Sequence, residues 1–275
     1  MFFSFFNMNY FPGILPSILC ISLGFITCWA LIPIIRRRAM KNGRSARGSE
    51  FHHTHQVAVP RFGGLALAAA FVVVALSIAF FIPTASTSIK IRLVIVLGAL
   101  AMFGLGFWDD LRPIGAKIKL LGQFAIASGV YFGGIQIEMF RNPFTNGELV
   151  LGVFGYFATV LWLVVLTNLI NLIDGIDGLA GGIGFMLMCL LANVGMGVDS
   201  AFSTLLSAGM AGALLGFLYF NFPPAKIYMG DGGAYFLGFL IGLHLQPAAQ
   251  SEGITRFMAH GEGFAHREPV FDKAE

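Results

Sequence analysis

Residues 168–182 read NLINLIDGIDGLAGG and place two acids between two apolar runs. Each run approaches the roughly 20 apolar residues that a helix needs to cross a bilayer. Because a charge at a membrane boundary is costly, acids in such a position usually serve a function. Asp174 and Asp177 therefore predict a membrane protein with an acidic functional site at the end of its helices.

The composition of the whole chain agrees with that prediction. Of the 275 residues, 57% are hydrophobic and 11% are charged, whereas a soluble domain carries about 25% charged residues. The apolar runs are continuous rather than alternating, which favours helices over a barrel. We predict an all-α, polytopic transmembrane helix bundle over residues 1–247 and a polar, disordered tail over 248–275. The expected spans number about eight: residues 13–35, 62–83, 89–108, 118–134, 150–172, 179–197, 201–220 and 234–245.

Glycine is unusually frequent, with 35 residues against a usual share of about 7%. In membrane helices, glycine allows neighbouring backbones to approach closely. Gly209, Gly212 and Gly216 recur at helical spacing, so we predict that they line one packing face of the seventh span.

Basic residues set the predicted orientation, because loops rich in lysine and arginine stay in the cytoplasm. The loop between the first two spans is predicted to be cytoplasmic, which places the N-terminus outside. Alternation of the spans then puts loops 109–119, 173–178 and 221–230 on the cytoplasmic side as well. The basic residues of the first loop are Arg36, Arg37, Arg38, Lys41, Arg44, Arg47 and Arg61.

Five aspartates fall on this one face, although the orientation argument did not use them. Carboxylates alone would repel phosphate, whereas carboxylates that hold Mg²⁺ or Mn²⁺ bind it, with lysine or arginine neutralising the rest. The pattern predicts a polyanionic substrate and a metal-dependent site. The five acids are Asp109, Asp110, Asp174, Asp177 and Asp231.

Four long motifs then resemble a known family. They are HQVAVPRFGGLAL at 55–67, GLGFWDDLRPIGAKIKLLGQ at 104–123, TNLINLIDGIDGLAGG at 167–182 and NFPPAKIYMGDGGAYFLGF at 221–239. Their order and spacing resemble the polyprenyl-phosphate N-acetylhexosamine-1-phosphate transferases, which start O-antigen, teichoic acid and peptidoglycan lipid intermediates.

The resemblance implies an activity and a location. Family enzymes move a sugar-1-phosphate from a UDP-sugar, expected here to be a UDP-N-acetylhexosamine, to undecaprenyl phosphate and release UMP. The motif forms favour UDP-GlcNAc or a related UDP-sugar. The implied cofactor is Mg²⁺, with Mn²⁺ as an alternative. The implied location is the bacterial inner (plasma) membrane, with the site on its cytoplasmic face. Membrane lipids and a homodimer are the implied partners, and no nucleic acid is expected.

The resemblance also suggests roles for the acids. Asp231 is the first choice for the Mg²⁺ ligand. Asp109 or Asp110 would bind or deprotonate the lipid phosphate, or help to hold the metal. Asp174 and Asp177 would orient the nucleotide or the diphosphate. A covalent phospho-sugar intermediate on one aspartate is the alternative to a single displacement, and the sequence leaves both open.

Further candidates are substrate contacts. Lys117 and Lys119 match the basic residues that follow the Asp-Asp pair, although both also suit the end of a cytoplasmic helix. His55 is either a substrate contact or a solvated loop histidine. The remaining candidates are Asn168 and Asn171, beside the acids of the fifth span, and Arg61.

The chain departs from the family pattern at its C-terminal end, and two other classes of protein are alternatives. Family members usually continue with further spans and a cytoplasmic loop with clustered histidines, whereas the last apolar run here ends near Leu245. We therefore expect a C-terminal truncation and weak or absent activity. A degenerate, non-catalytic member is one alternative. An ion-coupled transporter is another, although transporters place such acids near the midplane.

Overall fold

In the computed structural model of the chain, the structure describes residues 11–42, 59–81, 88–141, 148–195 and 201–250. Eight helices and two short strands occupy these residues. The helices are α1 Phe11–Lys41, α2 Gly63–Phe81, α3 Ile89–Leu111, α4 Ala116–Phe132, α5 Phe154–Ile173, α6 Leu179–Gly195, α7 Ala201–Asn221 and α8 Gly230–Gln250; the strands are β1 Met139–Arg141 and β2 Glu148–Val150.

Each predicted span corresponds to one helix, so the prediction of an all-α, polytopic bundle is confirmed. Five of the helices, α1, α2, α3, α5 and α7, are long and apolar enough to cross a membrane. The protein is therefore an integral membrane protein. The tail at 248–275 falls almost entirely outside the described residues.

The ends of two helices differ from the predicted spans in a way that matters for the site. Helix α3 continues to Leu111 and α8 begins at Gly230, whereas the spans were expected to end at 108 and to begin at 234. Hydropathy ends a span at the first charge, but a helix continues as long as its backbone hydrogen bonds are satisfied. Asp109, Asp110 and Asp231 therefore belong to helix end turns rather than to loops.

A small hairpin is an addition that the sequence did not predict. Strands β1 and β2 pair antiparallel, with Met139 opposite Val150 and Arg141 opposite Glu148. Strands of three residues are too short to leave a periodic pattern. The hairpin joins α4 to α5 at the end of the bundle away from the aspartates.

Helices α7 and α8 form the centre of the bundle. Helix α7 packs against α1, α2 and α6, and α8 packs against α2, α3, α5 and α6. The aromatic rings of Phe71 and Phe236 meet edge to face with centroids 5.2 Å apart. This rigid centre holds the first turn of α8 in place.

The glycines of α7 act as predicted. A Cβ added at Gly212 would collide with the backbone carbonyl oxygen of Ile21 in α1, and one at Gly216 would lie 2.8 Å from the carbonyl oxygen of Phe25. Gly209 lies against the Val74 side chain of α2. The bare backbone of α7 is therefore what lets α1 approach so closely.

Replacing Gly212 by alanine is expected to destabilise the bundle by about 1–3 kcal/mol, because the contact is with backbone that cannot turn away. Gly129→Ala in α4 is the matched control, since a Cβ there meets nothing within 4 Å. Alanine is the better helix former by up to about 1 kcal/mol, so the control should be neutral or stabilising. Thermal unfolding in detergent measures both, and equal shifts in Tm would contradict the packing argument.

Candidate active site

The first turn of α8 is the structural centre of the site. The backbone N–H groups of Asp231 and Gly232 donate to Oδ1 and Oδ2 of Asp110, each at 2.9 Å. The charges of Asp110 and Asp231 act on the carboxyl of Asp174, which therefore lies near the same turn. The first N–H groups of a helix lack partners within the helix, and the helix dipole favours negative charge there. The carboxylate of Asp110, from helix α3, thus caps α8.

Glycines make this close approach feasible. Gly230 has φ +77°, and a Cβ there would collide with the carbonyl oxygen of Arg61 and lie 2.9 Å from Oδ2 of Asp110. Gly106 of α3 leaves room for the carbonyl of Asp231. These glycines explain why the Asp-Asp and Gly-Asp-Gly motifs can meet.

The loop before α2 is bound to the segment before α8. Tyr228 N–H donates to the carbonyl of Pro60 at 2.8 Å, and Gly63 N–H donates back to the carbonyl of Tyr228 at 2.8 Å. Gly64 N–H donates to the carbonyl of Met229 at 2.8 Å. This backbone pairing brings Arg61 beside the acids.

Lys119 joins two of the acids. Its ammonium group pairs with Oδ2 of Asp109 and lies 3.1 Å from Oδ2 of Asp231. The other oxygen of Asp109 accepts the Ile114 backbone N–H at 2.8 Å, which turns the chain from α3 into α4. Lys119 therefore already offsets the repulsion between two carboxylates.

Asp174 ends α5 and is half-buried. Burial raises the pKa of its carboxyl to about 7, and the charges of Asp231 and Asp110 add to this rise. The positive charge of Arg61 acts in the opposite direction. Asp174 is therefore close enough to Asp231, Asp110 and Arg61 for their charges to act on its carboxyl.

Asp177 holds a neighbouring loop rather than the first turn of α8. Its Oδ2 accepts the Ala225 backbone N–H at 3.0 Å. Asn221, which the sequence reasoning missed, is 3% exposed and bridges the same loops by accepting from Gly178 N–H and donating to the carbonyl of Ile227. Asn221 is the first residue of the motif at 221–239, and this position is the signal in the sequence that could have identified it.

The other predicted residues are placed less centrally. Asn168 is exposed on α5, and its side-chain amide donates to Gln123 of α4. Asn171 is half-buried one turn nearer the acids. Lys117 is exposed and forms no ion pair within the described residues. His55 lies outside the described residues.

Among the described residues, no group of three or more acids, histidines or cysteines is arranged as a complete metal cage. Mg²⁺, however, is commonly held by one or two carboxylates together with substrate phosphates. The Asp231 side chain is 30% exposed and faces a cation already, the ammonium of Lys119. The donor set thus fits a metal that arrives with a phosphate.

The bundle and this cluster together define an integral membrane protein with a carboxylate-rich site at one end of its helices. The Glycosyl transferase family 4 model matches residues 92–246, more than half of the chain. The chain belongs to this family.

Three relatives illustrate the similarity. A probable undecaprenyl-phosphate N-acetylglucosaminyl 1-phosphate transferase of Bacillus subtilis (strain 168) is 34% identical over 80% of the chain, which covers 60% of that protein. A phospho-N-acetylmuramoyl-pentapeptide-transferase of Halalkalibacterium halodurans is 33% identical over 82% of the chain and 71% of its own length. Another, from Staphylococcus haemolyticus, is 32% identical over 81% of the chain and 72% of its own length.

Proposed function

We propose that the chain transfers N-acetylhexosamine-1-phosphate, with GlcNAc-1-phosphate as first choice, from a UDP-sugar to undecaprenyl phosphate. The observation that carries this proposal is the meeting of four carboxylates and one lysine at the first turn of α8. Such a cluster suits two polyanions that must approach each other. Membership of the family and the names of the relatives support it. The four acids are Asp109, Asp110, Asp174 and Asp231.

In the proposed reaction, a phosphate oxygen of the lipid attacks the β-phosphorus of the UDP-sugar. The bond from that phosphorus to the bridging oxygen breaks, and UMP leaves with this oxygen. The second pKa of a phosphate lies near 6, so the attacking oxygen is largely unprotonated at neutral pH and needs no strong base. Positioning and charge stabilisation then supply most of the catalysis.

Bound Mg²⁺ would supply positive charge to the diphosphate, and Asp231, with Asp174 beside it, would hold it. Lys119 would neutralise phosphate oxygens, since it lies between Asp109 and Asp231 and is partly exposed. Asp110 has both oxygens bound to α8, so we assign it to positioning Asp231. Asp109, paired with Lys119, is then the better candidate to face the lipid phosphate.

Arg61, Lys117, Asn168, Asn171, Asp177 and His55 remain proposed substrate contacts. The site would lie on the cytoplasmic face of the bacterial inner membrane, where the nucleotide arrives from water while the lipid tail stays in the bilayer. The chain covers 60% of the length of its B. subtilis relative, and we therefore propose these contacts and this location for it.

The test is a transfer assay with the purified chain, radiolabelled UDP-GlcNAc and undecaprenyl phosphate. We expect labelled lipid and UMP in equal amounts, however slowly they accumulate. Because the charge of the metal is needed, EDTA should abolish product and added Mg²⁺ should restore it. UDP-N-acetylmuramoyl-pentapeptide replaces UDP-GlcNAc in a parallel arm. Failure of every UDP-N-acetylhexosamine would refute the proposal and favour a non-catalytic family member.

A further inference from the structure

Gln123 is a buried polar residue that the proposed mechanism does not use. It lies in α4 four residues after Lys119, on the same face of the helix and one turn further from the acids. It is 1% exposed, and its Nε2 has no hydrogen-bond partner within the described residues. An unpaired buried N–H group costs free energy, so the orientation of this amide calls for a reason.

The reason lies in its contact with Asn168. Nδ2 of Asn168 donates to Oε1 of Gln123 at 2.7 Å and to the backbone carbonyl of Val164 at 2.8 Å. A carbonyl oxygen only accepts, so Val164 determines which end of the Asn168 amide carries the NH₂ group. Gln123 must then turn its own oxygen toward Asn168, which leaves Nε2 unpaired.

This arrangement restricts what Asn168 can offer to a ligand. Both of its N–H donors are used, while the side chain is exposed. Within the described residues, the atom left without a partner is Oδ1, which can only accept a hydrogen bond. An acceptor oxygen pairs with an N–H or O–H group and would repel an unprotonated phosphate oxygen.

The position of Asn168 also argues against a contact with the diphosphate. It lies six residues before Asp174 on α5, which corresponds to about 9 Å along the helix axis. The diphosphate is expected beside Lys119 and Asp231. A group that reaches Asn168 would therefore not be the diphosphate itself.

We propose that Gln123 is a positioning residue that turns Asn168 so that Oδ1 accepts a hydrogen bond from an N–H or O–H group of the UDP-sugar, and not from its diphosphate. This inference rests on the proposed function. It makes Asn168 a specificity residue for the nucleoside or the sugar. It also assigns a purpose to the unpaired amide of Gln123.

The experiment compares Gln123→Met, which removes the acceptor, with Gln123→Glu, which keeps an acceptor oxygen whether the acid is ionised or protonated, and with Asn168→Ala. Loss of one hydrogen bond should raise the KM for UDP-GlcNAc about 5-fold in Gln123→Met. The KM for undecaprenyl phosphate and kcat should stay within 2-fold, and Gln123→Glu should restore the wild-type KM. Gln123→Met should add nothing to Asn168→Ala, because the two changes remove the same contact.

Gln136→Met is the control, since Gln136 donates to the carbonyl of Tyr131 at the opposite end of the bundle. Binding of UMP and of UDP-GlcNAc to each variant locates the donor group: weaker binding of both places it on the nucleoside, and weaker binding of UDP-GlcNAc alone places it on the sugar.

An active wild-type chain whose KM for UDP-GlcNAc is unchanged by Gln123→Met and by Asn168→Ala would overturn the inference. So would a loss in kcat and Tm that Gln123→Glu does not rescue. A wild-type chain that neither forms product nor binds UMP refutes the proposed function itself.

Discussion

Asp231→Asn is expected to lower the rate of transfer by about 10³-fold, since removal of a metal-binding charge forfeits several kcal/mol of transition-state stabilisation. Asparagine keeps the size of the side chain. The hydrogen bond from the backbone N–H of residue 231 to Asp110 does not involve the substituted side chain, so α8 should keep its cap. The loss should therefore appear in kcat and in the Mg²⁺ concentration at half-maximal rate, with little change in Tm.

The matched control is Glu138→Gln, which removes an exposed acid at the opposite end of the bundle. It should leave the rate within 2-fold. If Asp231→Asn retained more than a tenth of the wild-type rate, or if Glu138→Gln were equally damaging, Asp231 would no longer be the preferred metal ligand.

Asp110→Asn is expected to reduce both stability and activity. The two oxygens of Asp110 accept two backbone N–H groups of α8, whereas asparagine has one oxygen and would point an NH₂ group at the other donor. A hydrogen bond to a charged group contributes about 1.5–3 kcal/mol. The start of α8 should shift, and because Asp231 shifts with it, the rate should fall by about 10²-fold.

Thermal unfolding and initial rates of the same preparation measure the two effects. Asp177→Asn is the comparison for stability, because Asp177 accepts a single N–H, that of Ala225, which an amide oxygen can still accept. Its Tm should change less than that of Asp110→Asn. A normal Tm for Asp110→Asn, together with lost activity, would mean that Asp110 contacts substrate rather than holding α8.

Lys119 shows what the spacing of residues along the sequence can predict about the site and what it cannot. The sequence singled out Lys117 and Lys119 equally, because both follow the Asp-Asp pair. In the structure Lys119 joins Asp109 to Asp231, while Lys117 is exposed. Residues two apart on a helix do not face the same way, so at most one could point into the cluster. Which one did so depended on how α4 is rotated against its neighbours.

The same limit applied to Gln123 and Asn221. Both lie within motifs that the sequence marked, but neither lies beside the acids of the fifth span as Asn168 and Asn171 do, so nothing in the pattern singled them out. Gln123 acquires one through Asn168, which is 45 residues away along the chain. Asn221 joins Gly178 to Ile227 across a similar separation. Sequence patterns that extend over one or two turns of a helix cannot predict pairs of residues that lie so far apart along the chain.

The membrane class, the eight helices and the set of five aspartates at one end of the bundle could all be predicted from the amino-acid sequence. These follow from hydropathy and from the distribution of basic residues, which act within single spans and their adjacent loops. The role of each aspartate depends instead on tertiary packing: Asp110 caps α8 and Asp174 lies near it, Asp109 and Asp231 share Lys119, and Asp177 holds a loop. Asp110 and Asp231 are 121 residues apart, so their contact depends on how α3 and α8 pack, with Gly106 and Gly230 leaving the room for it.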